Sequence, residues 1–423
     1  MCGLFLYFLK VRPQVLKMTK VLFIYPNVAK TLQIPMGIAY ISSYLQENGI
    51  ETFLWDGTFD EPHDIQHWIE FVEPDVVCFS ALSPDYELVK ELAEEARLWT
   101  KAPFVIGGYH ATFSSIEVYA SRLFDLVIVG EAEYTLLDWI NGNMFDGIIQ
   151  GRLPDVNKLP WPDHEMFKRH FTKQLNWETD KHENVGVFLT ARGCPFTCTY
   201  CSCDALSKLY MGKITRYRHI DDIIAEIGYI SRKYEMDTIW FTDETFTINK
   251  KRIIEFMGRY KDEIGIPFSV ETRPDTVNEE VLVALKEAGC TTIRMGIESG
   301  VDRIRNGIYG RGMSREKILS AFLTAKKIGL KTSSFNICGG PTETIEDVRE
   351  TIALNVECGV QSGKMTLMSV FPGTKMWDYC AEKGYTVREK YPENYYIDSN
   401  FTHPDFSIPE LIALREEFDK AIK

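Results

Sequence analysis

The sequence predicts an α/β protein with two successive parallel sheets, the first doubly wound and the second a partial barrel. Short apolar runs alternate with amphipathic stretches of helical spacing, and this alternation occurs twice, before and after an irregular segment. Strands that are apolar throughout are buried on both faces, as in parallel sheets covered by helices. The two series therefore predict two α/β domains joined by a connection.

The first series spans residues 20–140. The run VLFIYPN predicts a strand, MGIAYISSYLQENG has helical spacing and ends at a glycine, and TFLWDG predicts the next strand. DVVCFSAL, FVIGG and LVIVGEAE continue the pattern. Ligands of doubly wound sheets bind beyond the carboxyl ends of the strands. The residues that we expect there are Ser80, Gly107, Gly108, His110, Gly130 and Glu131. An ordinary turn is the competing interpretation for each of the three glycines.

The remaining boundaries follow from changes in periodicity. Residues 141–184 contain prolines and glycines without a sustained period, which predicts an interdomain connection. Residues 185–384 contain six predicted strands with five intervening helices, which suits a partial TIM-type (β/α)6 barrel. Residues 385–423 predict a tyrosine-rich irregular segment and a final helix. Residues 1–19 are interpreted as an untargeted extension, with Met18 as a second candidate for the start.

Composition and charge argue against several classes of protein. The net charge of −13 argues against a broad nucleic-acid or anionic-membrane footprint. Ten cysteines scattered over 423 residues do not form the framework of a small secreted protein, so reduced thiols in the cytoplasm are expected. No apolar run has the length of a bilayer-spanning helix.

Three cysteines follow the first strand of the second series. Cys194, Cys198 and Cys201 form CxxxCxxC, and thiolates on so short a loop can turn onto one metal centre. Three ligands for a four-iron cluster leave one iron open to a substrate or cofactor. The alternatives are a zinc site, a disulfide or chance. Structural zinc prefers four ligands in paired spacing, and Cys203, the nearby candidate for a fourth, is interpreted as a bystander.

With this motif, residues 20–384 resemble the radical S-adenosylmethionine superfamily, and more narrowly its cobalamin-binding branch. The resemblance implies that Cys194, Cys198 and Cys201 hold a 4Fe-4S cluster whose open iron chelates S-adenosylmethionine. Reduction of the cluster by an electron donor such as flavodoxin or ferredoxin then yields methionine and a deoxyadenosyl radical. The difficult chemistry belongs to the cofactors, while the protein supplies binding and orientation.

The resemblance also implies contacts to S-adenosylmethionine at successive strand ends. Within the cysteine loop, an aromatic residue packs by the adenine. FTDETF supplies acceptors for the methionyl amino group, and VETRP and MGIESG supply contacts to the carboxylate and ribose. The residues so implied are Tyr200, Asp243, Glu244, Arg273 and Glu298. CGGPTET (338–344) resembles the next characteristic strand end.

The first series resembles the Rossmann-like cobalamin-binding domain of this branch, so its strand-end residues are implied to line the corrin site. No DxHxxG motif follows the first strand, and PHDIQH has the wrong spacing, so no histidine is nominated as the lower ligand of cobalt. A core or turn histidine is the competing interpretation of His110. His63 and His67 lack a third metal ligand and are interpreted as an ordinary helix face.

The resemblance implies a cobalamin-dependent methyltransferase that acts on an unactivated carbon. One S-adenosylmethionine would methylate cob(I)alamin, and a second would yield the radical that takes hydrogen from the substrate, which then collects the methyl group. This requires both series of strand ends to converge on one cavity. The alternatives are cyclisation or rearrangement without methyl transfer, and an iron-sulfur electron carrier with a vestigial cobalamin domain. The substrate remains open among a small metabolite, a lipid intermediate and a peptide side chain.

Overall fold

The structure is a computed structural model that describes residues 18–176, 181–212, 214–388, 390–392 and 394–422. Most of the predicted N-terminal extension, up to residue 17, lies outside the described residues. Two six-stranded sheets organise the described chain, and every neighbouring pair of strands within them is parallel. This confirms the predicted α/β class.

The first sheet has the strand order β2-β1-β3-β4-β5-β6. Its strands are β1 (Lys20–Tyr25), β2 (Glu51–Asp56), β3 (Val76–Ser80), β4 (Phe104–Gly107), β5 (Leu126–Val129) and β6 (Gly147–Gln150). Its helices are α1 (Met36–Glu47), α2 (Ile65–Val72), α3 (Tyr86–Trp99), α4 (Gly108–Phe113), α5 (Ser115–Ala120) and α6 (Glu133–Ile140). The order reverses between β1 and β3, which creates a crevice at the carboxyl ends of the strands.

Successive side chains of β1 pack into two apolar cores, one on each face of the first sheet. Val21 and Phe23 belong to one apolar cluster, and Leu22 and Ile24 belong to another on the opposite face. Successive side chains of a strand point to opposite faces, so a strand covered on both sides has no polar position. This burial explains why the run VLFI is apolar without interruption.

The strand β6 lies within residues 141–184, which the sequence analysis assigns to an irregular connection. It pairs in parallel with β5 at the edge of the first sheet. Its residues alternate between partly buried and exposed, so it lacks the continuous apolar run of the inner strands. The same segment also contributes an antiparallel pair, β7 (Gln174–Asn176) and β8 (Lys181–Glu183).

Two buried histidines connect this segment to the first sheet and to the helix Ile220–Lys233 of the second domain. His170 Nε2 lies 2.7 Å from Asp56 Oδ2 at the end of β2. His164 Nε2 lies 2.8 Å from Glu226 Oε1 of the second domain. Because these contacts are buried and polar, they favour one path of the connection over the surface of the two domains.

The second sheet has the order β16-β15-β14-β13-β12-β9, so each strand lies beside its predecessor in the sheet, as in a barrel. The strands are β9 (Val185–Phe188), β10 (Ala191–Arg192), β11 (Arg216–Tyr217), β12 (Thr238–Phe241), β13 (Phe268–Thr272), β14 (Cys290–Glu298), β15 (Lys331–Cys338) and β16 (Ser362–Leu367). The helices are α7 (Ser202–Leu209), α8 (Ile220–Lys233), α9 (Lys250–Glu263), α10 (Glu279–Glu287), α11 (Arg315–Ile328), α12 (Ile345–Glu357), α13 (Lys375–Lys383) and α14 (Ile408–Ala421). The strands β10 and β11 form a separate antiparallel ribbon.

Local sequence signals define the ends of the barrel helices. The Ser314 side chain caps α11, which ends at Gly329 with φ +85°. Thr344 and Asp347 form a capping box at the start of α12. Such caps satisfy backbone N–H groups that have no partner within the helix. None of the helices in the described residues is long and apolar enough to cross a membrane.

Candidate active site between the two sheets

The carboxyl ends of both sheets face one cavity of about 430 Å³. From the first sheet, its lining includes Ser80, Gly107, Gly108, Gly130 and Glu131. From the barrel side, its lining includes Leu189, Arg192, Gly193, Cys203, Ile214 and Glu244. Much of the remaining wall is apolar, including Phe23, Met36, Ile41, Val105 and Leu136. The structure thus brings together five of the six residues expected at the corrin site and one expected contact of S-adenosylmethionine.

The cavity glycines differ in what surrounds them. A Cβ at Gly108 would lie 2.7 Å from Ala81 O, and one at Gly130 would lie 1.9 Å from Tyr210 Oη. Both have positive φ, so the fold itself requires glycine there. Gly107 has an extended backbone, and no heavy atom lies within 4 Å of its would-be Cβ. Of the three glycines expected at the corrin site, Gly107 is the one whose absent side chain leaves open space for a ligand.

His110 lies outside this cavity. Its side chain is buried, its Nδ1 lies 3.1 Å from Ser83 Oγ, and its ring is 4.0 Å from that of Tyr86. Burial lowers the pKa of His110 to about 4. These contacts fit the competing interpretation of a neutral core histidine. No histidine occurs among the described residues that line the cavity.

The cysteine loop leaves the β10–β11 ribbon at Gly193. This glycine has φ +84°, and a Cβ there would lie 2.3 Å from Ile214 O. Cys194 and Cys198 are buried, and Cys201 is partly buried. Glycine therefore permits the sharp turn that carries the chain from the ribbon into the loop.

Each of the three cysteine sulfurs has a polar neighbour. Cys194 Sγ lies 3.5 Å from Thr245 Oγ1, and Arg273 Nη1 donates to Cys198 Sγ at 3.2 Å. The Cys203 thiol hydrogen-bonds Cys201 and lowers the pKa of the Cys201 thiol. Hydrogen bonds to the sulfurs stabilise thiolates and tune bound clusters.

The donor set fits an iron-sulfur cluster better than zinc. Across the described ranges, no three His, Cys, Asp or Glu side chains are arranged to hold a single metal ion. Zinc requires its ligands to converge on one point, whereas the cysteines of a 4Fe-4S cluster bind separate irons and remain further apart. All three cysteines are unpaired in the structure, which also disfavours the disulfide alternative.

The two carboxylates of FTDETF have different surroundings. Asp243 accepts hydrogen bonds from Thr190 N at 3.0 Å and Thr190 Oγ1 at 2.7 Å, and it does not line the cavity. Glu244 does line the cavity, and its Oε2 accepts from Gly193 N at 3.2 Å. Burial raises the pKa of Asp243 to about 6 and that of Glu244 to about 7. Of the pair, Glu244 is the one available to a ligand in the cavity.

Tyr200 and Glu298 meet beside the cysteine loop. Their side chains are hydrogen-bonded, and burial raises the pKa of Glu298. Glu298 has φ +65°, an uncommon conformation for a non-glycine residue, at a register shift between β14 and β15. Arg311 Nη1 lies 3.3 Å from Tyr200 Oη, 3.7 Å from Glu298 Oε1 and 3.7 Å from Cys198 Sγ. Arg311 therefore joins two predicted contacts of S-adenosylmethionine to a cluster cysteine.

A second, smaller cavity of about 190 Å³ lies beside Tyr200. Its walls are Tyr200, Ile337, Thr366, Leu367, Met368, Ser369, Phe371 and Tyr395. Ser369 Oγ is buried there and has no hydrogen-bond partner among the described residues. An apolar slot with aromatic walls and one free hydroxyl suits a planar heterocycle. Tyr395 brings the tyrosine-rich C-terminal segment into this wall.

Several residues in or beside the cavity are not anticipated from the sequence. They are Arg192 and Tyr210, which line the cavity, and Arg216 and Arg311, which lie outside its lining and bond to Glu131 and Tyr200. Arg192 lies two positions before Cys194, and Arg311 stands between two glycines of positive φ, so each has a local signal. Tyr109 hydrogen-bonds Ser202 across the domain boundary, a contact between residues distant in sequence.

Comparisons with known proteins agree with this architecture. The B12 binding domain family matches residues 25–139, and the Radical SAM superfamily matches residues 188–354. An uncharacterized methyltransferase of Pyrococcus horikoshii is 31% identical over 399 residues, covering 86% of this chain and 83% of that protein. The cytidylyl-2-hydroxyethylphosphonate methyltransferase of Streptomyces wedmorensis is 24% identical, with coverages of 90% and 85%.

A solved structure shares the fold. The radical S-adenosylmethionine methyltransferase TsrM of Kitasatospora setae, with cobalamin and a 4Fe-4S cluster bound, superposes with a TM-score of 0.71 at 18% identity. The match covers 88% of this chain and 79% of that protein. The Radical SAM match corresponds to a 4Fe-4S cluster with S-adenosylmethionine, and the B12 binding domain match corresponds to cobalamin. The chain is an enzyme that belongs to the cobalamin-binding branch of the radical S-adenosylmethionine superfamily.

Proposed function

We propose that the protein transfers a methyl group to an unactivated carbon of a small-molecule or peptide substrate. The observation that carries the proposal is the shared cavity, which both Gly107 of the first sheet and Glu244 of the barrel line. Methyl transfer needs the methyl donor and the substrate radical in one space, whereas an electron carrier needs no such enclosure. The similarity to two methyltransferases supports the same reaction.

The cysteine loop would hold the cluster through Cys194, Cys198 and Cys201. When bound, the cluster and S-adenosylmethionine supply a radical, and the corrin supplies the methyl group. The protein excludes water from the reaction through the apolar walls of the cavity. An electron donor reaches the loop from outside, where Pro195 and Thr197 are exposed.

Charged side chains would orient S-adenosylmethionine. Glu244 faces the cavity and would accept a hydrogen bond from the methionyl ammonium, and the slot beside Tyr200 would take the adenine. Arg273 and Glu298 would contact the carboxylate and ribose, with Arg311 supporting both Glu298 and Tyr200. Asp243 would act indirectly, because its two oxygens hold Thr190 beside the cysteine loop.

The corrin would lie over the first sheet. Gly107 leaves the space for its close approach, while Ser80, Gly108, Gly130 and Glu131 form the surrounding wall. His110 takes no part in this proposal, because Ser83 and Tyr86 hold it outside the cavity. Among the described residues, the side chains that would hold the corrin at this wall include no histidine.

The first experiment is anaerobic purification with cobalamin and cluster reconstitution, followed by iron, sulfide and cobalt analysis. Four irons and one corrin per chain are expected. S-adenosylmethionine with a labelled methyl group then separates the candidate reactions, because methylation transfers the label to the product. A product without label would favour cyclisation or rearrangement. Failure to cleave S-adenosylmethionine after reduction would favour the electron carrier.

A further inference from the structure

We propose that Glu131 is a positioning residue that latches the first sheet to the barrel and holds the two cofactor sites at one separation. This inference rests on the proposed function, because it concerns the distance between the corrin and the cluster. Glu131 follows β5, and both of its carboxylate oxygens bond to barrel residues. Arg192 Nη1 donates to Oε2 at 2.6 Å, and Arg216 Nη2 donates to Oε1.

The two arginines come from one structural unit. Arg192 lies on β10 and Arg216 on β11, and the two residues face each other in the antiparallel ribbon. The cysteine loop leaves this ribbon directly after Arg192. Glu131 therefore ties the edge of the corrin cavity to the backbone that carries the cluster ligands.

Additional contacts reinforce the same link. Glu133 accepts from Arg192 Nη1 at 2.7 Å, and the Arg192 guanidinium lies 4.4 Å from the centre of the Tyr40 ring. Tyr210 Oη accepts a hydrogen bond from Glu131 N at 2.8 Å. Two acids thus face two guanidinium groups across the boundary between the domains.

The side chains of these ion pairs are less exposed to solvent than those of ion pairs on the protein surface. The side chains of Glu131, Arg192 and Arg216 are between 14% and 24% exposed, and that of Glu133 is 2% exposed. Buried charge pairs of good geometry resist rearrangement, because breaking one leaves an uncompensated charge. The contacts of Glu131 with Arg192 and Arg216, here called the latch, therefore favour a single orientation of the two domains. Radical formation and methyl transfer then need no rotation of one domain against the other.

The separation matters because the reacting groups must meet. A misplacement of about 1 Å can reduce a rate by about a hundredfold. Glu131 lines the corrin cavity, but both of its carboxylate oxygens are bonded to Arg192 and Arg216. We therefore assign its carboxylate to holding the separation of the two sites.

The test compares Glu131→Gln and Arg216→Gln with Asp138→Asn. Asp138 pairs with Arg152 on the first-domain side and has no contact with the ribbon. Asp138→Asn therefore removes one ion pair, as Arg216→Gln does, whereas Glu131→Gln removes two. Pulsed dipolar spectroscopy of the holoenzyme measures the distance from cob(II)alamin to the reduced cluster. A narrow distribution is expected for the wild type and Asp138→Asn, and a broad one for both latch variants. Arg216 does not line the cavity, so Arg216→Gln is also expected to keep its iron and corrin content.

Hydrogen exchange of the cofactor-free protein gives an independent readout. Amides of 191–193 and 214–217 are expected to exchange at least about tenfold faster in both latch variants than in Asp138→Asn. Unchanged exchange together with an unchanged distance distribution would overturn the latch. A wild type that binds no corrin would instead contradict the proposed function, while the exchange data would still decide the latch.

Discussion

Arg273 connects a cluster cysteine to the end of β13. Its Nη1 donates to Cys198 Sγ at 3.2 Å, and its Nε and Nη2 each donate to Asp275 at 2.9 Å. The guanidinium also lies 3.8 Å from the centre of the Phe196 ring within the cysteine loop. The buried Arg273 guanidinium thus contacts Cys198, Asp275 and Phe196 at once.

Replacing Arg273 is expected to shift the potential of the cluster. In Arg273→Gln the sulfur of Cys198 loses a charged donor, so the reduced cluster loses stabilisation and its midpoint potential falls. Asp275 is left without its partner in a largely buried position, so we also expect a stability loss of roughly 3 kcal/mol. A redox titration followed by electron paramagnetic resonance measures the potential, and chemical denaturation measures the stability.

The control for this prediction is Arg303→Gln. Arg303 pairs with Asp347 in an exposed position of the barrel and contacts no cysteine. A midpoint potential that is the same in Arg273→Gln and Arg303→Gln would contradict the role of Arg273 at the sulfur.

The cysteine assignments predict two different phenotypes. Cys194→Ala, Cys198→Ala and Cys201→Ala are each expected to abolish cleavage of S-adenosylmethionine and to lose iron. Cys203→Ala is expected to keep the iron, because Cys203 donates to Cys201 and is not itself assigned as a ligand. Iron and sulfide analysis after anaerobic reconstitution measures this. An equal loss of iron in all four variants would show the assignment to be wrong.

The open space at Gly107 predicts a site for the corrin. A leucine side chain there would occupy the cavity without meeting protein atoms near its Cβ, so folding is expected to be normal and corrin retention to fall at least about tenfold. Gly258→Leu is the control, because Gly258 is an exposed helix position that also has open space around its Cβ. Equal cobalt content in the two variants would place the corrin elsewhere.

Glu343 predicts a pH dependence of stability. Its Oε2 accepts from Gly339 N at 2.6 Å and Gly340 N at 3.0 Å, while burial raises its pKa from 4.5 to about 8. Between these values the folded state keeps a proton that the unfolded chain has released. Stability is therefore expected to fall as the pH rises through this window, and each unit of pKa difference corresponds to about 1.4 kcal/mol.

The comparison variant is Glu343→Gln, which keeps an acceptor oxygen for the two glycine amides but has no ionisable group. Thermal unfolding of the cofactor-free protein from pH 5 to pH 8 is expected to show a smaller decrease in midpoint for this variant than for the wild type. Parallel curves for the two proteins would rule out Glu343 as the group responsible.

Sequence patterns anticipate the inner strands and the cluster loop because both depend on local composition. A strand buried on both faces must be apolar at every position, as β1 is, and the spacing of Cys194, Cys198 and Cys201 lies within one loop. The edge strand β6 was not predicted from the sequence, because one of its faces is exposed and its apolar pattern is short.

The direction of the side chain decides which of the predicted site residues reach the cavity, and the sequence does not show this direction. Asp243 and Glu244 are neighbours in one motif, yet Thr190 binds the first and the cavity receives the second. His110 lies on α4 close after two cavity glycines, but its ring packs against Ser83 and Tyr86 at the start of α3. Neither outcome is encoded in the identity of the residue alone, because both depend on where the backbone of a strand end turns.

The sequence by itself determined the α/β class, the two series of strands and helices and the three cysteines, since periodicity and spacing are properties of neighbouring residues. The cofactors of the two series followed from the resemblance to a family. The tertiary structure decided which residues share the cavity. Glu131 meets Arg192 and Arg216 across 61 and 85 residues of chain, and Arg311 meets Cys198 across 113. Such contacts arise only when two sheets pack with their carboxyl ends facing each other, because that packing brings distant strand ends within hydrogen-bond distance.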